Sequence, residues 1–202
     1  GQTNFSYDIA GRMTSLTDPE GNATRWAFGI SGGVFTETIN VDSADLVRTF
    51  EYNAAGNLTR KIDRNGRVIA YGYDALSRQT AETWYDNVTD ANAQQNARKT
   101  FTTAYNDLGQ VVSVDDGATE YEYTYGLFGN LTSTTQDLPG LTPDVKFAYR
   151  YDSSGRLGEV AAFIGPVADY VTTYTYDWIG RITRIEQDDA GGKPVAEKRV
   201  DF

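Results

Sequence analysis

Apolar and aromatic residues alternate with polar ones in short stretches of this chain, and a turn signal follows each stretch. One example is Phe147-Ala148-Tyr149-Arg150-Tyr151, which precedes Asp152-Ser153-Ser154-Gly155. A period of two places alternate side chains on one face of a β-strand. Asp and Gly favour turns, because Asp accepts backbone hydrogen bonds and Gly adopts a positive φ. The pattern predicts a strand, a tight turn and a second strand that begins near Leu157.

The same frame recurs along the chain as an aromatic anchor, a turn residue four places later and an apolar residue six places later. The clear copies are Tyr7/Gly11/Met13, Tyr52/Gly56/Leu58, Tyr105/Gly109/Val111, Tyr125/Gly129/Leu131, Tyr151/Gly155/Leu157 and Tyr176/Gly180/Ile182. The weaker copies are Phe28/Gly32/Val34 and Tyr73/Ser77/Gln79. Successive anchors are 21, 24, 21, 32, 20, 26 and 25 residues apart, intervals that suit one β-hairpin with its connections. The eight copies predict an all-β fold, an antiparallel β-hairpin meander that forms a strip or spiral arc as a single array over residues 1–202.

A second set of turn signals closes many of the repeats. These signals are Asp18-Pro19-Glu20-Gly21-Asn22, Asp63-Arg64-Asn65-Gly66, Asp115-Asp116-Gly117 and Asp188-Asp189-Ala190-Gly191-Gly192. The strands between the two sets carry apolar pairs three places apart, such as Met13/Leu16 and Ile182/Ile185. Such pairs lie on opposite faces of a strand unless a bulge intervenes. Two interpretations of the spacing are therefore open, namely a sheet covered on both faces and a strand with a kink.

Arginine follows the turn in half of the copies, at Arg12, Arg78, Arg156 and Arg181. It could pair with the turn Asp of its own or a neighbouring repeat, which would give a ladder of ion pairs, or it could be solvated. The one long interval contains a polar, Ala- and Gln-rich insertion at residues 86–100. There Thr89 or Asp90 could cap a short helix, and a plain loop is the alternative.

Composition narrows the classes of function. The formal net charge is −10, which opposes binding to nucleic acid or to anionic membranes, since both depend on cationic side chains. The sequence has no run of about 18 apolar residues that would span a bilayer. Cys is absent, which removes disulfides and thiolate metal sites, and His is absent, which removes His-based catalysis and metal binding. No cofactor is therefore expected.

The frame Tyr7-Asp8-Ile9-Ala10-Gly11-Arg12-Met13, followed by a turn of the type at Asp18 to Asn22, resembles the RHS or YD-repeat family. The resemblance covers almost the whole chain except the insertion and about the last 15 residues. It implies β-hairpin strips that spiral into a sheet or hollow shell. In the family such shells surround toxin polypeptides in secreted bacterial proteins, and related repeats occur in wall-associated proteins and teneurin ectodomains.

The resemblance therefore implies a secreted or cell-surface bacterial location and a polypeptide cargo, or neighbouring repeats of a parent protein, as partner. This chain departs from full family members because it lacks the D-P-x-G-L motif that closes many bacterial shells. Its length is also too short to enclose a chamber, so an arc or strip is expected.

No catalytic residue is predicted. The paired carboxylates Asp115/Asp116 and Asp188/Asp189 are the only enzymatic option, but both pairs fall in predicted turns, and a turn role is favoured. Exposed rings could bind glycans, and Trp84, Tyr85 and Trp178 are the candidates because they flank the insertion or occupy a turn. Asp86 and Asp90 are weak candidates for Ca²⁺ binding, without a full calcium-loop spacing.

Three hypotheses follow from the sequence. The first is a non-enzymatic structural scaffold of a larger protein that encloses or presents a toxin or other polypeptide. The second is a carbohydrate- or surface-partner-binding adhesion module that uses the candidate rings. The third is self-association, because a strip of hairpins has two open edges able to pair.

Overall fold

The computed structural model describes residues 1–29, 32–41, 44–138 and 140–200. Within these ranges the chain forms 17 β-strands and one helix, and it divides into two compact units, Gly1–Thr102 and Thr103–Phe202. The first unit contains β1 (Asn4–Tyr7), β2 (Met13–Thr17), β3 (Ala23–Phe28), β4 (Val34–Val41), β5 (Ala44–Tyr52), β6 (Leu58–Ile62), β7 (Val68–Tyr73), β8 (Gln79–Tyr85) and α1 (Val88–Ala93). The boundary between the units falls inside β9 (Lys99–Tyr105).

The second unit contains the remaining strands. They are β10 (Val111–Asp115), β11 (Glu120–Tyr125), β12 (Leu131–Leu138), β13 (Leu141–Tyr151), β14 (Leu157–Ile164), β15 (Val167–Tyr176), β16 (Ile182–Asp189) and β17 (Pro194–Arg199). Within each unit every strand pairs antiparallel with the next strand along the chain. The predicted all-β hairpin meander is confirmed.

All eight anchor turns have the same backbone geometry. In the first copy the N–H of Gly11 donates to the Asp8 carbonyl at 3.0 Å, and the N–H of Asp8 donates to the Arg12 carbonyl at 2.9 Å. Equivalent pairs of bonds close the turns that begin at Gly29, Asn53, Asp74, Asn106, Gly126, Asp152 and Asp177. This is the three-residue hairpin loop that ends in a left-handed residue.

The residue four places after each anchor occupies the left-handed position of its turn. In the six clear copies φ is 78° at Gly11, 84° at Gly56, 80° at Gly109, 81° at Gly129, 79° at Gly155 and 90° at Gly180. In the two weaker copies φ is 85° at Gly32 and 62° at Ser77. A residue without a Cβ atom adopts this conformation at low cost, which explains why glycine recurs at this point of the frame.

The second turns use the same geometry at the opposite ends of the hairpins. Asp18, Asp63 and Asp189 each begin a turn closed by two backbone hydrogen bonds, like those of the anchor turns. The turn at Asp115 and Asp116 is shorter, with the Asp116 N–H donating to the Thr119 carbonyl at 3.2 Å. The four predicted second turns are therefore all present.

A β-bulge next to the anchor turn explains the apolar pairs spaced by three. Tyr7 pairs with Met13, Ser6 with Ser15 and Phe5 with Leu16, so Thr14 is left without a partner opposite it. Because the bulge adds one residue, Met13 and Leu16 lie on the same face of the sheet as Tyr7. The same register shift occurs at the anchors Phe28, Tyr52, Tyr73, Tyr125, Tyr151 and Tyr176. The kinked strand, rather than a sheet covered on both faces, accounts for the spacing.

The packing is shallow. Among the described residues the buried apolar side chains are Ala23, Val68, Tyr85, Ala161 and Ala162, and the buried polar one is Ser133. Most anchor rings are half-buried instead and lie opposite an apolar residue of the neighbouring strand, with Tyr73 opposite Gln79 as an exception. Cross-strand pairs of this kind each contribute about 0.2–1 kcal/mol, so stability is spread along the array.

The insertion forms the helix α1, which settles the choice between helix and loop. Its N-cap is Asn87, whose side chain accepts a hydrogen bond from the Asp90 N–H at 2.9 Å. The expectation that Thr89 or Asp90 would be the cap was wrong, because both lie inside the helix. Asp90 instead places its charge in the first helical turn, where the helix dipole favours it.

Candidate functional site

The predicted structural residues of the repeat lie at equivalent places in the hairpins. The clear anchors each end a strand, namely Tyr7, Tyr52, Tyr105, Tyr125, Tyr151 and Tyr176. Tyr7 is exposed, and the other five rings are half-buried. The six turn glycines, Gly11, Gly56, Gly109, Gly129, Gly155 and Gly180, are all exposed. The glycines therefore contribute backbone conformation rather than packing, whereas five of the six anchors contribute partly buried rings.

Each acidic anchor turn is stabilised by its first residue. Asp152 accepts the backbone N–H groups of Ser154 and Arg156 on one carboxylate oxygen, at 2.9 Å each. The other oxygen accepts the guanidinium Nε of Arg156 at 2.7 Å. Equivalent ion pairs join Asp8 to Arg12, Asp63 to Arg67, Asp74 to Arg78 and Asp177 to Arg181, at 2.6–2.7 Å. The predicted ion pairs therefore form, and each lies within its own turn.

These contacts favour the ionised form of the turn carboxylates. The backbone N–H of Arg156 lowers the pKa of Asp152, and the Arg156 side chain adds to the effect against a smaller opposing effect of burial. The pKa values of Asp8 and Asp74 are lowered for the same reasons. For Asp177, burial opposes the ionised form, but the hydrogen bonds from Arg181 outweigh it and the pKa is lowered.

The arginine of the turn also reaches the next repeat. The Arg156 guanidinium lies 4.6 Å from the centre of the Tyr176 ring, and its Nη1 donates to the Asp177 carbonyl at 3.2 Å. Arg12 lies in the same way over Phe28, at 4.4 Å. In another copy Gln110 donates to the Gly129 carbonyl of the next anchor turn at 2.9 Å. The side chain after the turn residue thus connects consecutive repeats.

Anchor tyrosines provide a second connection between repeats. The Tyr73 hydroxyl donates to the Leu58 carbonyl at 2.7 Å, where Leu58 is the apolar residue of the preceding frame. Tyr125 donates to the Val111 carbonyl at 2.8 Å, and Tyr176 donates to the Leu157 carbonyl at 2.7 Å. The sequence pattern does not reveal these bonds, because they join residues 14 to 19 places apart whose contact depends on strand register.

Several anchor turns carry exposed apolar side chains at their tips, whereas the Tyr151 turn carries Ser153 and Ser154. In the second unit the apolar tip residues are Leu108, Leu127, Phe128, Trp178 and Ile179, and in the first unit Ile9 and Leu76. Leu127 and Phe128 are almost fully exposed, at 100% and 99%. Tips of consecutive repeats within a unit are two strands apart, which is about 10 Å. This row of side chains is named the tip row below.

The structure places the candidate rings differently from one another. Trp84 is 40% exposed, and Tyr85 beside it is buried. Both line a cleft of about 450 Å³ at the base of the insertion. Trp178 lies in the second unit at the tip of the Tyr176 turn and is 93% exposed. A role of these rings in ligand binding stays a prediction.

The two calcium candidates have partners in the protein. Asp86 pairs with Arg98 at 3.3 Å, and Asp90 accepts the side-chain amides of Asn87 and Asn96 at 2.6 and 2.9 Å. No group of three or more acidic residues that could hold a metal ion occurs in the described ranges. Binding of Ca²⁺ at Asp86 and Asp90 likewise stays a prediction.

The paired carboxylates are used in turns. Asp115 accepts the Gly117 N–H at 2.6 Å, and Asp116 accepts the N–H groups of Ala118 and Thr119 at 2.9 and 2.8 Å. Asp189 accepts the N–H groups of Gly191 and Lys193, both at 2.9 Å. The favoured turn role of these three residues is confirmed, and Asp188 lies in β16 immediately before its turn.

In the part of the chain that the structure describes, no helix is long and apolar enough to cross a membrane.

Comparisons with known proteins agree with this repeat geometry. The sequence model of the RHS Repeat family matches residues 42–83. The crystal structure of TcdB2-TccC3 is similar with a TM-score of 0.66 and 15% identity, over 96% of this chain and 14% of that chain. The structure of the Photorhabdus luminescens Tc holotoxin pore is similar with a TM-score of 0.59 and 19% identity, over 98% of this chain and 9% of that chain.

At these identities the similarity to solved structures concerns the fold alone, and the chain spans about a tenth of each matched chain. No curated protein matches the sequence. The family match lies on the anchors Tyr52 and Tyr73, whose turns have the same geometry as the other six. The chain therefore carries the RHS repeat at residues 42–83.

Proposed function

We propose that this chain is a structural, non-enzymatic segment of a larger secreted bacterial protein, in which RHS repeats form a wall that encloses or presents a toxin or other polypeptide. The observation that carries this proposal is the repetition of the contacts between repeats. Tyr73, Tyr125 and Tyr176 make the same hydroxyl-to-carbonyl bond, and Arg12 and Arg156 make the same stacking contact with the next anchor. Recurrent contacts of this kind stabilise a wall.

The use of the charged groups supports a structural role. The turn carboxylates are held by backbone N–H groups and by arginines, which keeps them ionised and leaves them as hydrogen-bond acceptors only. A general acid needs a raised pKa, which is the opposite of the direction found at these turns. Repetition of one turn therefore supports a scaffold better than a catalytic centre.

The tip row supports contact with another polypeptide. Exposed apolar side chains that lie close together are typical of surfaces that bind a protein partner. In the second unit Leu127, Phe128 and Trp178 are almost fully exposed. The net charge of −10 opposes binding of a nucleic acid, so a polypeptide is the better partner for the tip row.

Limited proteolysis of the whole protein that carries this chain tests the proposal. The polypeptide that accompanies the repeats would be followed by mass spectrometry during digestion, first in buffer and then at urea concentrations that unfold the repeats. We expect slow cleavage of the cargo while the repeats are folded and rapid cleavage after they unfold. Equal cleavage rates in the two conditions would refute enclosure. Hydrolase activity abolished by replacing one carboxylate would refute the non-enzymatic role.

A further inference from the structure

The cleft at the base of the insertion is cationic although the protein as a whole is acidic. Its charged lining consists of four cations, Arg48, Lys61, Arg67 and Arg98, and two carboxylates, Asp63 and Asp86. Two of the four cations are each paired with one of these carboxylates, at 2.6 and 3.3 Å. Because those two pairs are neutral, the remaining charge of the cleft comes from Arg48 and Lys61.

Arg48 shares its carboxylate partner with a second arginine. Glu37 lies opposite Arg48 on the neighbouring strand, and its Oε2 accepts Nη1 of Arg48 at 2.7 Å and Nη2 of Arg64 at 2.9 Å. One negative charge therefore faces two positive charges. The Nε atoms of Arg48 and Arg64 are buried and have no hydrogen-bond partner in the part of the chain that the structure describes. Buried donors without a partner are uncommon, and an ion that supplies the acceptor is one explanation of them.

Lys61 adds a third positive charge beside these arginines. It pairs with Phe50 between β6 and β5, and Arg48 lies two residues from Phe50 on the same face of the sheet. Diagonal neighbours of this kind have their Cβ atoms about 7 Å apart. Lys61 is half-buried and has no ion-pair partner within the described ranges. Three cations thus share the single carboxylate of Glu37, which leaves two positive charges in excess.

The rest of the cleft lining is apolar. It consists of Val68, Ile69, Trp84 and Tyr85, of which Val68 and Tyr85 are buried. Apolar side chains of this kind exclude water, and contacts between charged groups are stronger where water is excluded. The cleft has a volume of about 450 Å³, and small-molecule sites have volumes of about 300–1,000 Å³. The cleft therefore has room for a small anion and for an apolar substituent on it.

A phosphate group matches these donors better than a carboxylate does. Its charge at pH 7 is about −1.5 to −2, which is close to the excess positive charge of the cleft, and its oxygens are strong acceptors. A carboxylate carries a single charge on two oxygens. Arg48 contacts Glu37 through Nη1, so its other N–H groups are donors for a ligand, and the ammonium group of Lys61 is a compact phosphate-binding charge.

We propose that this cleft binds a phosphate group, held by the ammonium group of Lys61 and by the N–H groups of Arg48 that Glu37 does not use. The ligand is inorganic phosphate or a phosphate monoester whose apolar substituent lies against Trp84. The bound anion compensates the excess positive charge beside Glu37. This site is separate from the scaffold function, and neither proposal depends on the other.

An NMR titration of the intact chain tests the site. The backbone N–H signal of Lys61 and the Nε–H signal of Arg48 would be followed during addition of inorganic phosphate, phenyl phosphate or acetate at constant pH and ionic strength. We expect saturable shifts with both phosphates and about tenfold or more weaker binding of acetate, because acetate loses one contact between charged groups. Tighter binding of phenyl phosphate would support a monoester as the ligand, and equal affinities would support free phosphate.

Matched variants locate the phosphate contact. Lys61→Gln should weaken phosphate binding by about tenfold or more, and Lys61→Arg should retain it because the charge is kept. Lys146→Gln, at an exposed position of the second unit, should leave the affinity unchanged.

The affinity of the unsubstituted protein for phosphate should fall as sodium chloride is added, because the charge contact is screened. This measurement replaces Lys61→Gln if that variant does not fold. Equal affinity for acetate and phosphate, shifts that do not saturate, an affinity that salt does not change, or unchanged binding by a folded Lys61→Gln variant would each overturn the proposal.

Discussion

Removal of one anchor hydroxyl tests how the repeats are held together. Tyr176 donates to the Leu157 carbonyl at 2.7 Å, and its ring lies under the Arg156 guanidinium at 4.6 Å. Tyr176→Phe removes the hydroxyl but keeps the ring, so the stacking contact and the apolar packing remain. The substitution therefore isolates one hydrogen bond between consecutive repeats.

The expected loss is about 1 kcal/mol in the free energy of unfolding. A hydrogen bond between an uncharged donor and acceptor contributes about 0.5–1.5 kcal/mol net. The position is half-buried, so water can partly replace the lost donor at the Leu157 carbonyl, which argues against a larger effect. For a unit of this size, 1 kcal/mol corresponds to a decrease of roughly 4–8 °C in Tm.

Urea unfolding followed by far-UV circular dichroism measures the effect, and Tyr151→Phe is the matched control. Tyr151 occupies the anchor position of the preceding repeat in the same unit, and its hydroxyl has no hydrogen-bond partner in the ranges that the structure describes. We expect the control to change stability by less than about 0.5 kcal/mol. Equal effects of the two substitutions would refute a specific role for the hydroxyl bond.

Three further predictions concern the turns. Gly155→Ala should destabilise the protein by about 1 kcal/mol, because φ is 79°, and the effect is one of backbone strain alone, since nothing lies within 4 Å of the added methyl group. Ser77→Gly should stabilise the protein by about 0.5 kcal/mol, because it relieves the same strain at a φ of 62°. A stabilising Gly155→Ala or a destabilising Ser77→Gly in urea unfolding would contradict this. Arg156→Ala should lower stability by about 0.5–1 kcal/mol through loss of the stacking contact, and the exposed Arg150→Ala should have a smaller effect in the same assay. Stability should fall as the pH decreases below about 4, because the lowered pKa of Asp152 and the other turn carboxylates gives a contribution that is present above the unfolded pKa and is lost on protonation; a urea midpoint that is constant from pH 6 to pH 3 would exclude it.

The turns could be predicted from the sequence because their determinants are local. An Asp or Asn after the anchor accepts the two N–H groups of its own turn, and Gly four places after the anchor provides the positive φ. Even the copy with Ser77 keeps the geometry, since its Asp74 makes the same bonds. The strand order follows from such short reversals, and the predicted meander was therefore confirmed.

Contacts that depend on register could not be predicted in this way. The bulge at Thr14 decides which face Leu16 occupies, and the sequence alone left both possibilities open. The carbonyl that accepts the Tyr176 hydroxyl lies 19 residues away and is identified only by the strand pairing.

Within the insertion, Thr89 or Asp90 was the predicted cap of the helix. The cap is Asn87 instead, because its side chain reaches the Asp90 N–H. Tyr85 is buried although its neighbour Trp84 is exposed, which follows from the alternation of side chains along β8. The sequence could indicate the strand but not which of its faces is covered.

The central claim is that the stability of the array is distributed over similar hairpins along the chain. Residue-resolved hydrogen exchange by NMR tests this claim most directly. The account predicts slow exchange for strand amides in every hairpin of the described ranges, with similar protection in consecutive repeats of each unit. Protection confined to one hairpin, with rapid exchange in the others, would contradict it.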